Sequence, residues 1–102
     1  GIIGVQISNR IAIFSRSGTP MERLHYTVRG DHGTAEILIL QAVPGRTYPI
    51  YVDGSFVQNV KANSSGILSF TLDLPSGSHQ EYIGEQPPTA LGKPGKPIHV
   101  DE

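Results

Sequence analysis

The chain has no cysteine and no tryptophan, and it has only one methionine. Without cysteine there is no disulfide framework and no thiolate metal site, and thiol usage carries no information on compartment. Without tryptophan there is no indole platform of the kind that holds crystalline polysaccharide. An excess of one charge is missing too. Eight Lys and Arg stand against nine Asp and Glu, for a formal net charge of −1, which excludes the basic footprint that duplex nucleic acid requires. No apolar run approaches the ~20 residues of a membrane-spanning helix. The opening Gly1-Ile2-Ile3-Gly4 lacks the charged start of a signal peptide, so the chain reads as a soluble fragment of something longer.

At 102 residues, 37% of them apolar, the sequence fits one domain with one core. Its apolar residues recur with period two, and no stretch sustains the i, i+3, i+4, i+7 spacing of an amphipathic helix. Strands are expected over residues 2–7, 10–15, 23–29, 34–40, 48–52, 56–62, 67–74 and 79–83. Between them lie turn signals: Ser8-Asn9, Ser17-Gly18-Thr19-Pro20, Gly30-Asp31-His32-Gly33, Pro44-Gly45, Asp53-Gly54, Asn63-Ser64-Ser65-Gly66 and Ser76-Gly77. Seven or eight short strands at this spacing predict an all-β fold, a two-sheet antiparallel β-sandwich.

Alternation sorts the faces. Leu24, Tyr26 and Val28 point inward, as do Tyr48, Ile50 and Val52, and Leu68, Phe70, Leu72 and Leu74. Pro49 predicts an edge strand or a bulge. The sandwich is expected over residues 1–85, followed by a Pro/Gly-rich linker or tail over 86–102 in which Ile98-His99-Val100 is either frayed or the start of another strand or domain.

Catalytic constellations are missing. There is no Gly-x-Ser-x-Gly elbow, and the four histidines, His25, His32, His79 and His99, are scattered. His25, Asp31 and His32 share a hairpin but lack a metal-ligand spacing, and no calcium or phosphate loop is present. The expectation is therefore no enzyme, no cofactor and no metal. Asn63-Ser64-Ser65 fits an N-glycosylation acceptor pattern in a turn, or is only a turn.

Binding candidates fall on the outward positions. Arg23, His25 and Arg29, with Thr27 between, form a basic row suited to uronate or sulfate groups, or an ordinary solvated face. Tyr51, Tyr82 and Phe56 are the rings available for stacking on a sugar, or structural aromatics. Tyr48, Asp53, Gly54, Gly66 and Gly77 are assigned to corners and turns. Asp53-Gly54 suits a type I′ hairpin, and Gly66 and Gly77 suit tight turns.

The run Val52-Asp53-Gly54, Val57, Val60, Ala62, Gly66, Leu68-Ser69-Phe70-Thr71-Leu72 and Gly77-Ser78-His79 resembles the Ig-like β-sandwich repeats of bacterial adhesins and surface proteins, over about a third of the chain. Val43-Pro44-Gly45-Arg46-Thr47-Tyr48 is similar to the Pro-Gly-x-x-Tyr corner of fibronectin type III modules, in which the tyrosine hydroxyl bonds back to upstream backbone. The chain departs from that family in placing three strands after the tyrosine. Together with Asn9-Arg10-Ile11-Ala12-Ile13-Phe14-Ser15, the whole resembles the C-terminal β-sandwich modules of secreted polysaccharide-degrading enzymes. This resemblance implies a secreted or cell-surface accessory module that binds carbohydrate, with a polysaccharide, acidic ones included, or a neighbouring domain of the same chain as its partner. The competing expectation is an Ig-like spacer without a ligand of its own.

Overall fold

A computed structural model of the chain describes residues 2–30 and 33–84. They form eight strands: β1 (Ile2–Ile7), β2 (Arg10–Ser15), β3 (Leu24–Gly30), β4 (Gly33–Ile39), β5 (Thr47–Val52), β6 (Ser55–Lys61), β7 (Leu68–Leu74) and β8 (Gly77–Ile83). No helix occurs among the described residues. All eight expected strands are present, two of them with the expected bounds. Asp31, His32 and the 86–102 tail, with Ile98-His99-Val100, lie outside the described residues.

The strands make two sheets, β1-β2-β4-β7 and β3-β8-β5-β6. All pairings are antiparallel except one, since β2 and β4 run parallel. The expected two-sheet, largely antiparallel sandwich is present, with this one parallel pair inside the first sheet. After β2 the chain crosses to the other sheet as β3 and returns to the first as β4, which runs in the direction of β2. Ile11, Ile13, Ile37, Ile39, Leu68, Phe70, Leu72 and Leu74 from the first sheet meet Leu24, Tyr26, Val28, Tyr48, Ile50 and Ile83 from the second in one apolar cluster. That is a β-sandwich. Burial of these side chains is its main favourable term.

Local chemistry fixes the crossings. The Tyr48 hydroxyl accepts the Val43 N–H at 2.8 Å and donates to the Met21 carbonyl at 2.5 Å, tying β5 to the crossing segment that also forms the Met21–Ala42 bridge. Asp53 and Gly54 both have positive φ, 51° and 84°, as a type I′ hairpin requires. At Gly66, with φ of 78°, an added Cβ would stand 2.5 Å from the Ala42 carbonyl oxygen, because that segment is held by the Ala42 N–H to Gly66 O bond. Gly77, at φ 111°, opens β8.

Of the two settings expected for Pro49 the strand shows the bulge and not the edge, and β1 departs from simple pattern reading. Pro49 sits in β5, which is flanked by β8 and β6 and is not an edge. The Pro49 carbonyl accepts from Gly84 N–H beyond the end of β8, and the N–H and C=O of one strand residue point the same way. The missing donor therefore falls past the β5·β8 ladder, and a register shift follows at Ile50/Tyr51. In β1, Gly4 and Gln6 pair opposite the inward Ile13 and Ile11 of β2, so Ile3, Val5 and Ile7 face outward. All three are exposed.

Candidate functional site

Pairing register places the outward residues of the second sheet. His25 of β3 stands opposite Tyr82 of β8, Tyr82 opposite Tyr51 of β5, and Tyr51 opposite Phe56 of β6. Four rings from four consecutive strands thus make one row across the sheet. His25 and Tyr82 stack with centroids 3.7 Å apart and planes at 17°, and Tyr51 meets Phe56 edge-on at 5.8 Å. The row exists because each ring falls on an outward position of its own strand and the register aligns the four.

The rings are not equally accessible. Tyr82 is 8% exposed, His25 and Tyr51 are half-buried, and Phe56 is 54% exposed. Phe56 is the most exposed member of the row. His25 Nε2 is also 2.9 Å from Gln80 Oε1. Arg29 stands at one end of the face opposite Ser78, while Asn59 and Lys61 flank the row on β6 opposite Pro49 and Thr47. None of these outward strand positions carries a carboxylate.

Arg23 is not part of this row. It precedes β3 and lines a polar cleft of about 400 Å³ with Glu22, Arg46, Thr47, Tyr48 and Gly84, in which Arg46 stands 3.6 Å from Glu22. The basic row read from the sequence therefore splits. Arg29 stays on the face, His25 is held by Tyr82 and Gln80, and Arg23 turns to the end of the sandwich. Asn63 caps its turn by accepting the Ser65 and Ile67 N–H groups, each at 2.9 Å.

The inward side of the same sheet holds chemistry that pattern reading missed. Glu81 is fully buried, and neither of its oxygens has a hydrogen-bond partner among the described residues; the same holds for the Tyr26 hydroxyl. The two residues are directly opposed on β8 and β3 and interact electrostatically, without hydrogen-bonding geometry. Burial pushes the Glu81 carboxyl up to about 7, against weaker lowering by Tyr26 and His79. Burial first, and the neighbouring Glu81 charge second, push the Tyr26 phenol well above its ordinary value. Ile83 faces the core, so two-residue alternation turns Glu81 and His79 inward as well, and that signal was present in the sequence.

At the end of the sheet His79 bridges two turns. Its Nδ1 lies 2.6 Å from Asp53 Oδ2 and its Nε2 lies 2.8 Å from the Pro75 carbonyl, while Asp53 Oδ1 accepts the Gln80 N–H. Both partners of the ring are acceptors, so both ring nitrogens donate and the imidazole is cationic. The hydrogen bond to Asp53 is the main cause of its raised pKa. Both nitrogens are committed to holding turns. Among the described residues no group of three His, Asp or Glu is arranged to hold a metal ion. Comparison of the chain with protein-family models, with curated proteins and with solved structures returns no match.

Proposed function

We propose that this chain is a non-catalytic accessory module of a secreted or cell-surface protein, and that it binds carbohydrate on the outer face of the β3-β8-β5-β6 sheet. The observation that carries this reading is the row His25, Tyr82, Tyr51 and Phe56 on a face whose strand positions hold no carboxylate. A pyranose ring packs its C–H face on Phe56, and hydroxyls bond to Asn59 and the Tyr51 phenol. Arg29 and Lys61, at the margins, favour uronate or sulfate groups.

Affinity electrophoresis against pectin, alginate and neutral glucans tests the reading. Retardation is expected with the acidic polymers, with Phe56→Ala removing most of it and Arg29→Ala reducing it in a salt-dependent way. Unretarded migration in every polymer overturns the proposal.

One observation favours the second reading, an Ig-like spacer. The outer face of the first sheet exposes Ile3, Val5, Ile7 and Leu38, an apolar cluster available as a contact surface. Deleting the segment from its parent protein separates the two readings. Loss of polymer attachment with intact activity on soluble substrate supports carbohydrate binding, whereas loss of folding of a neighbouring domain supports the spacer.

A further inference from the structure

A β-sandwich of two open sheets has four edge strands, and an unprotected edge is a template for another chain. Three of the four edges here are blunted. On β3 the Arg29 carbonyl accepts the Gln6 amide at 2.9 Å. On β7 the Thr71 carbonyl accepts the Gln58 amide at 2.9 Å. The β6 edge carries the register shift opposite Ile50/Tyr51 and ends on Lys61.

Among the described residues, the fourth edge, β1, has no such protection. Its sequence, Ile2-Ile3-Gly4-Val5-Gln6-Ile7, contains no charge and no proline, and it pairs with β2 over six residues without a register break. Among the described residues no backbone or side-chain group bonds to its outer edge. The Gln6 side chain, bonded to β3, ties the strand to the opposite sheet and holds it in place.

We propose that the open edge of β1 pairs antiparallel with β1 of a second copy of this chain, about a two-fold axis through Val5. The register follows from the faces. Opposed residues in an antiparallel pair share a face, so the outward row continues across the junction only if an odd residue meets an odd one. Centring on Val5 sets Ile3 opposite Ile7 of the other copy, Val5 opposite itself and Gly4 opposite Gln6. Each outward apolar side chain of β1 then meets another, and β1 brings no charge to the junction. The nearest ionic groups on this face, Arg10 and Glu36, already stand 4.0 Å from each other.

The result is a continuous eight-stranded sheet whose apolar band runs Leu38, Ala12 and Val5 into Val5, Ala12 and Leu38 of the second copy, following the observed pairings within each copy. An edge six residues long buries less than the ~1,200 Å² at the low end of specific interfaces. The dimer is therefore dissociable, with a Kd in the range of about 10–100 µM.

Sedimentation velocity on the full chain, from about 5 µM to 1 mM across that range, reads this directly. The weight-average mass rises from 11.0 kDa towards twice that value. Val5→Lys and Val5→Glu each set like charges opposite one another at the axis and weaken association at least tenfold, while an equimolar mixture of the two variants recovers it. A wild-type chain that stays at 11.0 kDa throughout overturns the proposal, as does association untouched by Val5→Lys or unrestored by mixing. If substitution at Val5 prevents folding, the doubly substituted chain Ile3→Lys with Ile7→Glu, which opposes unlike charges, must associate where Ile3→Lys with Ile7→Lys does not. Equal behaviour of those two overturns the register.

Discussion

The two sheets of this sandwich are chemically different. The β1-β2-β4-β7 sheet is apolar on its inner face, with Phe70 among aliphatic side chains, and largely aliphatic on the outer face of β1, where Ile3, Val5 and Ile7 are exposed. The β3-β8-β5-β6 sheet carries all four tyrosines, the buried Glu81 and the cationic His79. One layer supplies apolar burial and an open edge, and the other supplies groups that titrate, stack and hydrogen-bond. Their stabilities should accordingly answer to different variables: burial in the first is insensitive to pH, whereas the second contains groups whose protonation differs between folded and unfolded chains.

The largest expected effect tests the aliphatic half. Ile39 is fully buried at the end of the interior strand β4, and Ile39→Ala removes apolar volume that the packed surroundings do not recover. A loss of about 3–4 kcal/mol is expected, read from urea unfolding midpoints, and it should be the same at pH 5 and pH 8. A pH-dependent difference would break the contrast between the sheets.

Next in size is Glu81. A carboxyl held at about 7 when folded, against 4.5 in the unfolded chain, binds its proton more tightly in the native state. Its stabilising contribution is fully present below pH 4.5 and is lost as pH rises to and through about 7. The loss is on the order of 3 kcal/mol by pH 8. Glu81→Gln should therefore raise the melting temperature at pH 8, leave it nearly unchanged at pH 4.5 and flatten the profile between. A variant that lowers stability equally at both pH values would show that the carboxylate has a partner.

Tyr48→Phe comes third. The substitution keeps the ring but leaves Val43 N–H and Met21 C=O without the hydroxyl that joins them. A cost of about 2 kcal/mol is expected, because an unmade bond to a buried backbone group carries its desolvation penalty. The loss should show no pH dependence between 5 and 8, which separates a backbone tie in the second sheet from its titrating groups.

The contrast between the sheets was only partly legible in the sequence. The existence of all eight strands followed from period-two apolar residues and from turn residues with defined backbone demands, such as Asp53-Gly54. The Tyr48 tie followed from the Pro-Gly-x-x-Tyr pattern. Strand order did not follow, because the parallel β2–β4 contact depends on where β3 crosses, and no local pattern records that. Period two also misleads in β1, where Ile3, Val5 and Ile7 alternate as a core stripe would, yet the register against β2 turns them outward. Of the site, His25 and Tyr51 were legible as outward residues of two separate strands and Tyr82 only as a ring that either stacks on a sugar or is structural, and their alignment required the register. Arg23 was misgrouped because β3 begins one residue later than its apolar pattern implied. His79 and Asp53 are 26 residues apart, and only the meeting of two turns brings them together.

That meeting gives the smallest and most discriminating test. His79 is held by Asp53 and Pro75 with both nitrogens donating, and its pKa is raised above 6.5. A raised folded-state pKa means that its contribution is fully present below pH 6.5 and is lost as pH rises through the folded value. Because the Asp53 carboxyl is half exposed, solvent screens the pair, and the contribution is expected to stay below about 1 kcal/mol. His79→Asn should lower the melting temperature slightly at pH 6 and less at pH 8.5, and by a smaller amount in an Asp53→Asn background, where only the bond to the Pro75 carbonyl is left to lose. Glu81 and His79 both weaken the fold as pH rises, so the double substitution Glu81→Gln with His79→Asn should remove most of the slope between pH 5 and 8. A slope that survives it would place the titrating group elsewhere in the molecule, and the division of labour between the two sheets would fail.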